Sequence, residues 1–150
     1  MSEIVKIVFP LCVDEDGFPP ISSESMHAQP DGHCFVIENT PFFVMGVALG
    51  DRVYATPMSD QRNCYTFDTV ALASGHKALS VILLNSGIRN AVYQELKKRG
   101  CYCEYGEFGR GGILQMLAVS VPVDCEYEGI ARYLAELEEQ DQLSYAELAV

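Results

Sequence analysis

Residues 78–84 read Ala-Leu-Ser-Val-Ile-Leu-Leu. Successive side chains of a strand point to opposite faces, so Val81, Ile82, Leu83 and Leu84 place apolar groups on both faces of whatever sheet they join. Such a strand belongs in the middle of a sheet that is covered on two sides. The rest of the chain has to supply both covers.

One cover is legible downstream. Ser86 is placed to cap a helix over 87–99, with Ile88, Ala91, Val92 and Leu96 on one face. Lys97, Lys98 and Arg99 fall in its last turn, where cations suit the helix dipole, and Gly100 is a stop signal. Strands follow over 101–108 and 113–121, joined by Gly109-Arg110-Gly111-Gly112. Asp124 is placed to cap a second helix whose stripe is Tyr127, Ile130, Ala131, Leu134 and Leu137. The segment 143–150 reads as a strand or a helical turn, since Ser144-x-x-Glu147 also fits a capping box. The order strand-helix-strand-strand-helix-strand is the ferredoxin-like, split βαβ pattern, which puts both helices on one face of the sheet.

The second cover has to come from the N-terminal half or from a dimer partner. Alternation predicts a strand over 4–11, with Val5, Ile7, Phe9 and Leu11 on one face. Further strands are predicted over 22–29, 34–38, 51–56 and 64–73, with turns at 14–20 and 30–32 and an apolar connection over 39–50. Five short strands suggest a small barrel or a strongly bent sheet. The expected fold class is therefore α+β: a small antiparallel β-barrel-like subdomain over 1–76, packed on a ferredoxin-like βαββαβ unit over 77–150, as one compact body.

Composition narrows the function. With 49% apolar residues, the 150-residue chain can build a core. No run approaches the roughly 18 apolar residues of a membrane span, and the N-terminal run is broken by Lys6 and Pro10, so a cytoplasmic location is expected. A net charge of −11 argues against nucleic acid and against an anionic membrane surface. It suits a basic protein partner. The six cysteines, at 12, 34, 64, 101, 103 and 125, come without a secretory signal and are read as reduced thiols. Cys101-x-Cys103 lacks the paired spacing of a zinc site, so no metal and no cofactor is expected.

No catalytic set emerges. His27, His33 and His76 lack metal-ligand spacing beyond the adjacent His33–Cys34 pair, and none of the common nucleophile, phosphate-loop or zinc motifs is present. Asp14, Asp16 and Gly17 resemble part of a calcium loop, but Cys12 and Ser23 stand where its first and last acids belong. Glu24, His27 and Asn39 are the candidate lining of a small-molecule pocket between the subdomains. The charge points elsewhere. Asp14, Glu15 and Asp16 form one acidic patch. Glu126, Glu128, Glu136, Glu138 and Glu139 form another along the second helix, where Tyr133 adds an aromatic anchor.

The strings Lys6-Ile7-Val8-Phe9-Pro10-Leu11, Asp14-Glu15-Asp16-Gly17-Phe18-Pro19-Pro20, Glu24, Asn39-x-Pro41-Phe42-Phe43 and Gly50-Asp51 carry a resemblance. The chain resembles the bacterial domain-of-unknown-function family 4265 over nearly its whole length. The resemblance carries no enzymatic activity. It implies a setting in polymorphic-toxin systems, where small acidic proteins neutralise toxins. The expectation is thus a non-catalytic, immunity-type inhibitor that binds a cognate toxin through its acidic patches, as a monomer or homodimer. The alternative is a small-molecule-binding domain or unrecognised enzyme with its site between the subdomains.

Overall fold

The structure, a computed structural model, describes residues 3–150. Within them are nine strands in two sheets and two α-helices. The first sheet contains β1 (Val5–Pro10), β2 (Ser23–Asp31), β3 (Cys34–Ile37), β4 (Arg52–Pro57) and β5 (Cys64–Leu72). The second contains β6 (Lys77–Leu83), β7 (Tyr102–Phe108), β8 (Leu114–Val121) and β9 (Leu143–Ala149), with α1 (Arg89–Lys98) between β6 and β7 and α2 (Tyr127–Glu139) between β8 and β9.

Neighbouring strands of the first sheet pair antiparallel in chain order, and β5 then returns to β1, so the five strands close on themselves. The closing pair is parallel, Lys6 opposite Cys64 and Val8 opposite Thr66, where a wholly antiparallel arrangement was expected. Strand alternation explains the filling. Val5, Ile7 and Phe9 of β1 point inward with Met26 and Ala28 of β2, Ile37 and Val53.

The second sheet runs β7-β8-β6-β9, all antiparallel. Leu79, Val81 and Leu83 of β6 share one face with Leu117, Val119 and Val121 of β8. Val92 and Leu96 of α1 and Ile130 and Leu134 of α2 pack on that same face. Both helices start later than the sequence suggests. Asn85, not Ser86, caps the 3₁₀ turn over 86–88 that leads into α1: its Oδ1 accepts the Gly87 N–H at 2.9 Å, and α1 itself begins without a side-chain cap. Asp124 does not cap the second. Pro122 opens a turn in which the Cys125 N–H donates back to the Pro122 carbonyl, and Glu126 then caps α2 by accepting the Gly129 N–H at 3.1 Å. Ala91 faces solvent, and 143–149 resolves as a strand that pairs with β6.

The opposite face of β6 meets the connector between β3 and β4. Residues 40–48 have no strand partner, so their amides need other acceptors. Glu24 supplies one. Only 8% exposed, its carboxylate accepts the N–H groups of Phe42 at 2.6 Å, Phe43 at 3.0 Å and Val44 at 3.0 Å. Asp51 accepts the Ala48 N–H at 2.9 Å and the Ser74 N–H at 2.8 Å. Glu104 of β7 accepts the Thr40 N–H at 3.2 Å. Held this way, the connector serves two cores. Val44 and Val47 plug the strand ring, while Ala48 packs with Ala78 and Leu148 of the second sheet. The Phe42 and Phe43 rings lie 4.9 and 5.0 Å from Phe108, edge-on. Gly106 lets Phe42 approach β7: a Cβ there would stand 2.8 Å from the Phe42 ring.

Glu24→Ala would leave three amides at this junction without their acceptor. Urea unfolding should show a loss of about 3–5 kcal/mol, against about 1–2 kcal/mol for Glu24→Gln, which keeps a carbonyl acceptor. Equal, small losses in both variants would mean that the carboxylate does not hold the connector.

Candidate functional site

The connector covers only part of the second face of β6. Beyond it lies an open cleft of about 690 Å³ between the strand ring and the second sheet. Its floor follows from register. Ser80 sits opposite Ala118 on β8 and Ala146 on β9, and Ile82 sits opposite Met116 and Ser144. The immediate neighbours of Ser80 in its row are therefore alanines, with Glu104 of β7 beyond Ala118, whereas the helix-covered face carries leucines and valines. Phe9 and Leu11 at the end of β1, Phe67 of β5 and Val44 and Met45 of the connector form the walls. Phe9 and Phe67 stack with ring centroids 4.7 Å apart.

The rim is the turn after β1. Asp14 Oδ1 accepts the N–H groups of Asp16 and Phe18, both at 2.9 Å, and the Asp14 N–H donates to the Phe18 carbonyl at 2.8 Å. That turn places Phe18 edge-on against Phe43 with centroids 5.8 Å apart. Phe18 remains 42% exposed and Met45 68% exposed, so the mouth is lined by large apolar groups in contact with solvent. Ser80 stands out on the floor. It is 5% exposed, and its Oγ has no hydrogen-bond partner within the protein. Among the described residues, no lysine, arginine or histidine lines the cleft.

The three residues expected to line a pocket do not come together as one. Glu24 and His27 are three apart on β2, so alternation turns them to opposite faces. Glu24 is occupied by the connector amides, and His27 is exposed, its backbone N–H donating to Asn39 Oδ1 at 2.7 Å. Asn39 in turn reaches Glu104 at 3.5 Å. The pocket lies instead among aromatic and small residues. The signal that could have found it was the two-faced apolar strand 78–84 together with alanines and serines at alternate positions in its partners.

The acidic residues divide into two sets. Asp14 is held in its turn at the cleft rim, with Glu15 and Asp16 exposed beside it. The α2 acids belong to the helix-covered face, so the second sheet lies between them and the cleft. Glu126 is used as a cap and Glu138 accepts the Tyr145 N–H at 3.1 Å. Glu128, Glu136 and Glu139 are exposed, and among the described residues none of the α2 acids takes part in an ion pair. Tyr133 is half-buried under the Arg99 guanidinium, 5.2 Å from its ring centre, and burial first of all pushes its hydroxyl pKa up.

Three cysteines cluster on the helix side. Burial, then the neighbouring Cys125, pushes Cys101 up to about 11, and burial, then Cys101, pushes Cys103 up to about 12. Thiols held protonated in this way are poor nucleophiles. At pH 8, a disulfide reagent should therefore modify exposed Cys12 well before buried Cys101 or half-buried Cys103, and Cys101 should react fully only after unfolding. The folded state holds these protons more tightly than the unfolded chain. The stability they contribute is full below about pH 9 and is lost as pH rises toward 11–12. Cys101→Ala with Cys103→Ala should flatten that alkaline decline. Labelling of Cys103 as fast as Cys12 would contradict the burial argument.

These features define a class: mixed α+β proteins in which two sheets meet over an irregular connector, with two helices on the far face of the second sheet. The chain belongs to the family described as Domain of unknown function (DUF4265), which matches residues 24–145. The match begins at Glu24 and takes in the connector, both helices and the part of the cleft floor up to Tyr145. A crystal structure of a hypothetical protein from Neisseria gonorrhoeae has a similar fold, with a TM-score of 0.72 at 22% identity, covering 99% of this chain and 95% of that one. A comparison with curated proteins finds no match. Among the described residues, no helix is long and apolar enough to cross a membrane.

Proposed function

We propose that this protein is a binding protein that holds a mostly apolar small molecule in the cleft between a small β-barrel and a ferredoxin-like βαββαβ unit. The strand order β7-β8-β6-β9, with both helices on one face, supports the ferredoxin-like reading of the second half. The closure of β5 onto β1 supports the barrel reading of the first.

The observation that carries the function is the cleft itself. Its volume of about 690 Å³ falls in the range of ordinary ligand pockets, and large apolar side chains stand exposed at its mouth. The lining offers no histidine or lysine to act as a base, which favours holding a molecule over transforming it. The test is a thermal-shift screen of the purified chain against apolar small molecules, with each ligand recovered and analysed afterwards. A ligand present at one hundred times its Kd should add about 2.7 kcal/mol and raise Tm by about 5–10 °C, and should be recovered unchanged. Steady chemical conversion of the ligand would replace binding with catalysis.

A second reading is favoured by α2, whose exposed Glu128, Glu136 and Glu139 stand free of ion pairs among the described residues. This acidic face is the docking surface of an immunity-type inhibitor for a basic toxin domain. Reversing these three acids to lysine should leave the fold intact and slow association with a cognate toxin by about tenfold at low salt, with the difference shrinking as salt rises. An unchanged on-rate in the folded variant would remove this surface from the reading.

A further inference from the structure

We infer that the cleft selects an uncharged, largely hydrocarbon and planar molecule that presents one hydrogen-bonding oxygen or nitrogen to Ser80. This rests on the cleft-binding reading above and adds the chemical class of the ligand. The first argument is charge. Among the described residues the lining contains no cationic side chain, and its one carboxylate, Asp14, stands at the rim of a protein of net charge −11. A carboxylate or phosphate on the floor would be desolvated without a counter-charge and would face a like charge at the mouth. A cation on the floor would lack a carboxylate beside it, since the floor supplies only hydroxyls, methyls and a thioether and Asp14 stands at the rim.

The second argument is shape. Phe67 stands half-buried on one wall, stacked on the buried Phe9, Phe18 packs edge-on against Phe43 at the rim, and the exposed Met45 adds an adaptable thioether. Ring faces and thioethers favour a flat partner. The third is the polar atom. A serine hydroxyl that is buried without a protein partner can both donate and accept. Ser80 is among the residues that line the cleft, with alanines as its cross-strand neighbours.

A peptide strand is a poorer occupant. β6, the middle of the floor, is hydrogen-bonded on both sides, to β8 and β9, and so offers a peptide only side chains; β9 is the sheet's edge, and its Leu148 carbonyl and Tyr145 N–H are already taken by the Gly46 N–H and the Glu138 carboxylate.

Nile red is a suitable probe, being uncharged and planar with a single keto oxygen. It is titrated into the purified full chain by fluorescence. Anilinonaphthalene sulfonate and dodecanoate serve as anionic counterparts, and native mass spectrometry reads the oligomeric state. Saturable 1:1 Nile red binding is expected, with both anions at least tenfold weaker. Ser80→Ala should weaken Nile red about fivefold, the worth of one neutral hydrogen bond, and shift its emission to the blue as the keto group loses its donor. Ala146→Trp, which fills the floor, should abolish binding. Met45→Glu, at an exposed rim position, serves the same purpose should the tryptophan disturb folding. If Nile red does not saturate, or binds equally to both blocking variants, the cleft-binding reading falls. If binding is lost in those variants but the anions bind as tightly as Nile red, or Ser80→Ala changes neither affinity nor emission, the cleft stands and the ligand class assigned here is wrong. A chain that dimerises, with Ala146→Trp and Met45→Glu both restoring the monomer, would show a second copy as the occupant and overturn the proposal.

Discussion

Two buried carboxylates determine how the halves of this protein meet. Glu24 and Asp51 both lie in the interior, a placement that costs several kcal/mol unless every lone pair is used. Here each is satisfied by backbone N–H groups. Glu24 binds three consecutive amides of the connector, and Asp51 ties the connector's end to Ser74 in the link between the sheets. A segment of nine residues without strand partners would otherwise bury unpaired amides between two apolar cores. The carboxylates permit it to run there in an irregular shape. That shape lets Val44 and Val47 turn into the strand ring while Ala48 turns toward the sheet.

The connector's path in turn decides where the second sheet is covered and where it is left open. On the helix side, leucines and valines pack against α1 and α2 in one buried cluster. On the other side, the side chains nearest Ser80 are alanines, and the covering segment passes over the Ala48–Ala78–Leu148 end. Apolar surface left in water around Phe18 and Met45 is a standing loss of burial, on the order of 25 cal/mol for each Å² that could have been covered. A chain that fills one face of a strand with leucine and leaves the other shallow has placed a hollow there, and the unpartnered Ser80 hydroxyl lies within it.

Much of this arrangement was legible in the residues, because alternation and helical period are local signals. The inward set Val5, Ile7 and Phe9, the core residues of both helices and the two-faced strand over 78–83 follow from spacing alone, while Ala91 and Leu84 stand exposed. Helix starts were misplaced for a local reason too. Asn85 and Glu126 compete with Ser86 and Asp124 for the same role, and turns upstream decided between them. The cleft was harder to read. Its walls are drawn from β1, the following turn, the connector, β5 and three strands of the second sheet, and no sequence window contains more than two of these. Polar residues drew attention to Glu24, His27 and Asn39, yet a polar residue on a strand is as often a structural tie as a ligand contact. Glu24 is such a tie. The informative residues were the small ones, Ala118 and Ala146 beside Ser80, which carry meaning only once the register that aligns them is known.

The cleft's position gives it a mechanical consequence. Its floor belongs to the second sheet, while its walls and rim belong to the strand ring and the turn after β1. A molecule seated there touches both bodies at once, so its binding free energy adds to whatever holds them together, namely the connector, the Phe42–Phe43–Phe108 cluster and the bond from the Gly46 N–H to the Leu148 carbonyl. By linkage, any motion that opens the two bodies weakens the ligand, and any ligand that bridges them opposes the opening by its preference for the closed form. The shape of the Asp14 turn is set by four local hydrogen bonds, and through Phe18 it packs against Phe43 of the connector. The acidic face of α2 lies across the sheet, and the packed layer of Leu79, Val81, Leu117 and Val119 separates it from the cleft. Charge on that face can steer a partner, but it can reach the cleft only through a shift of the whole sheet.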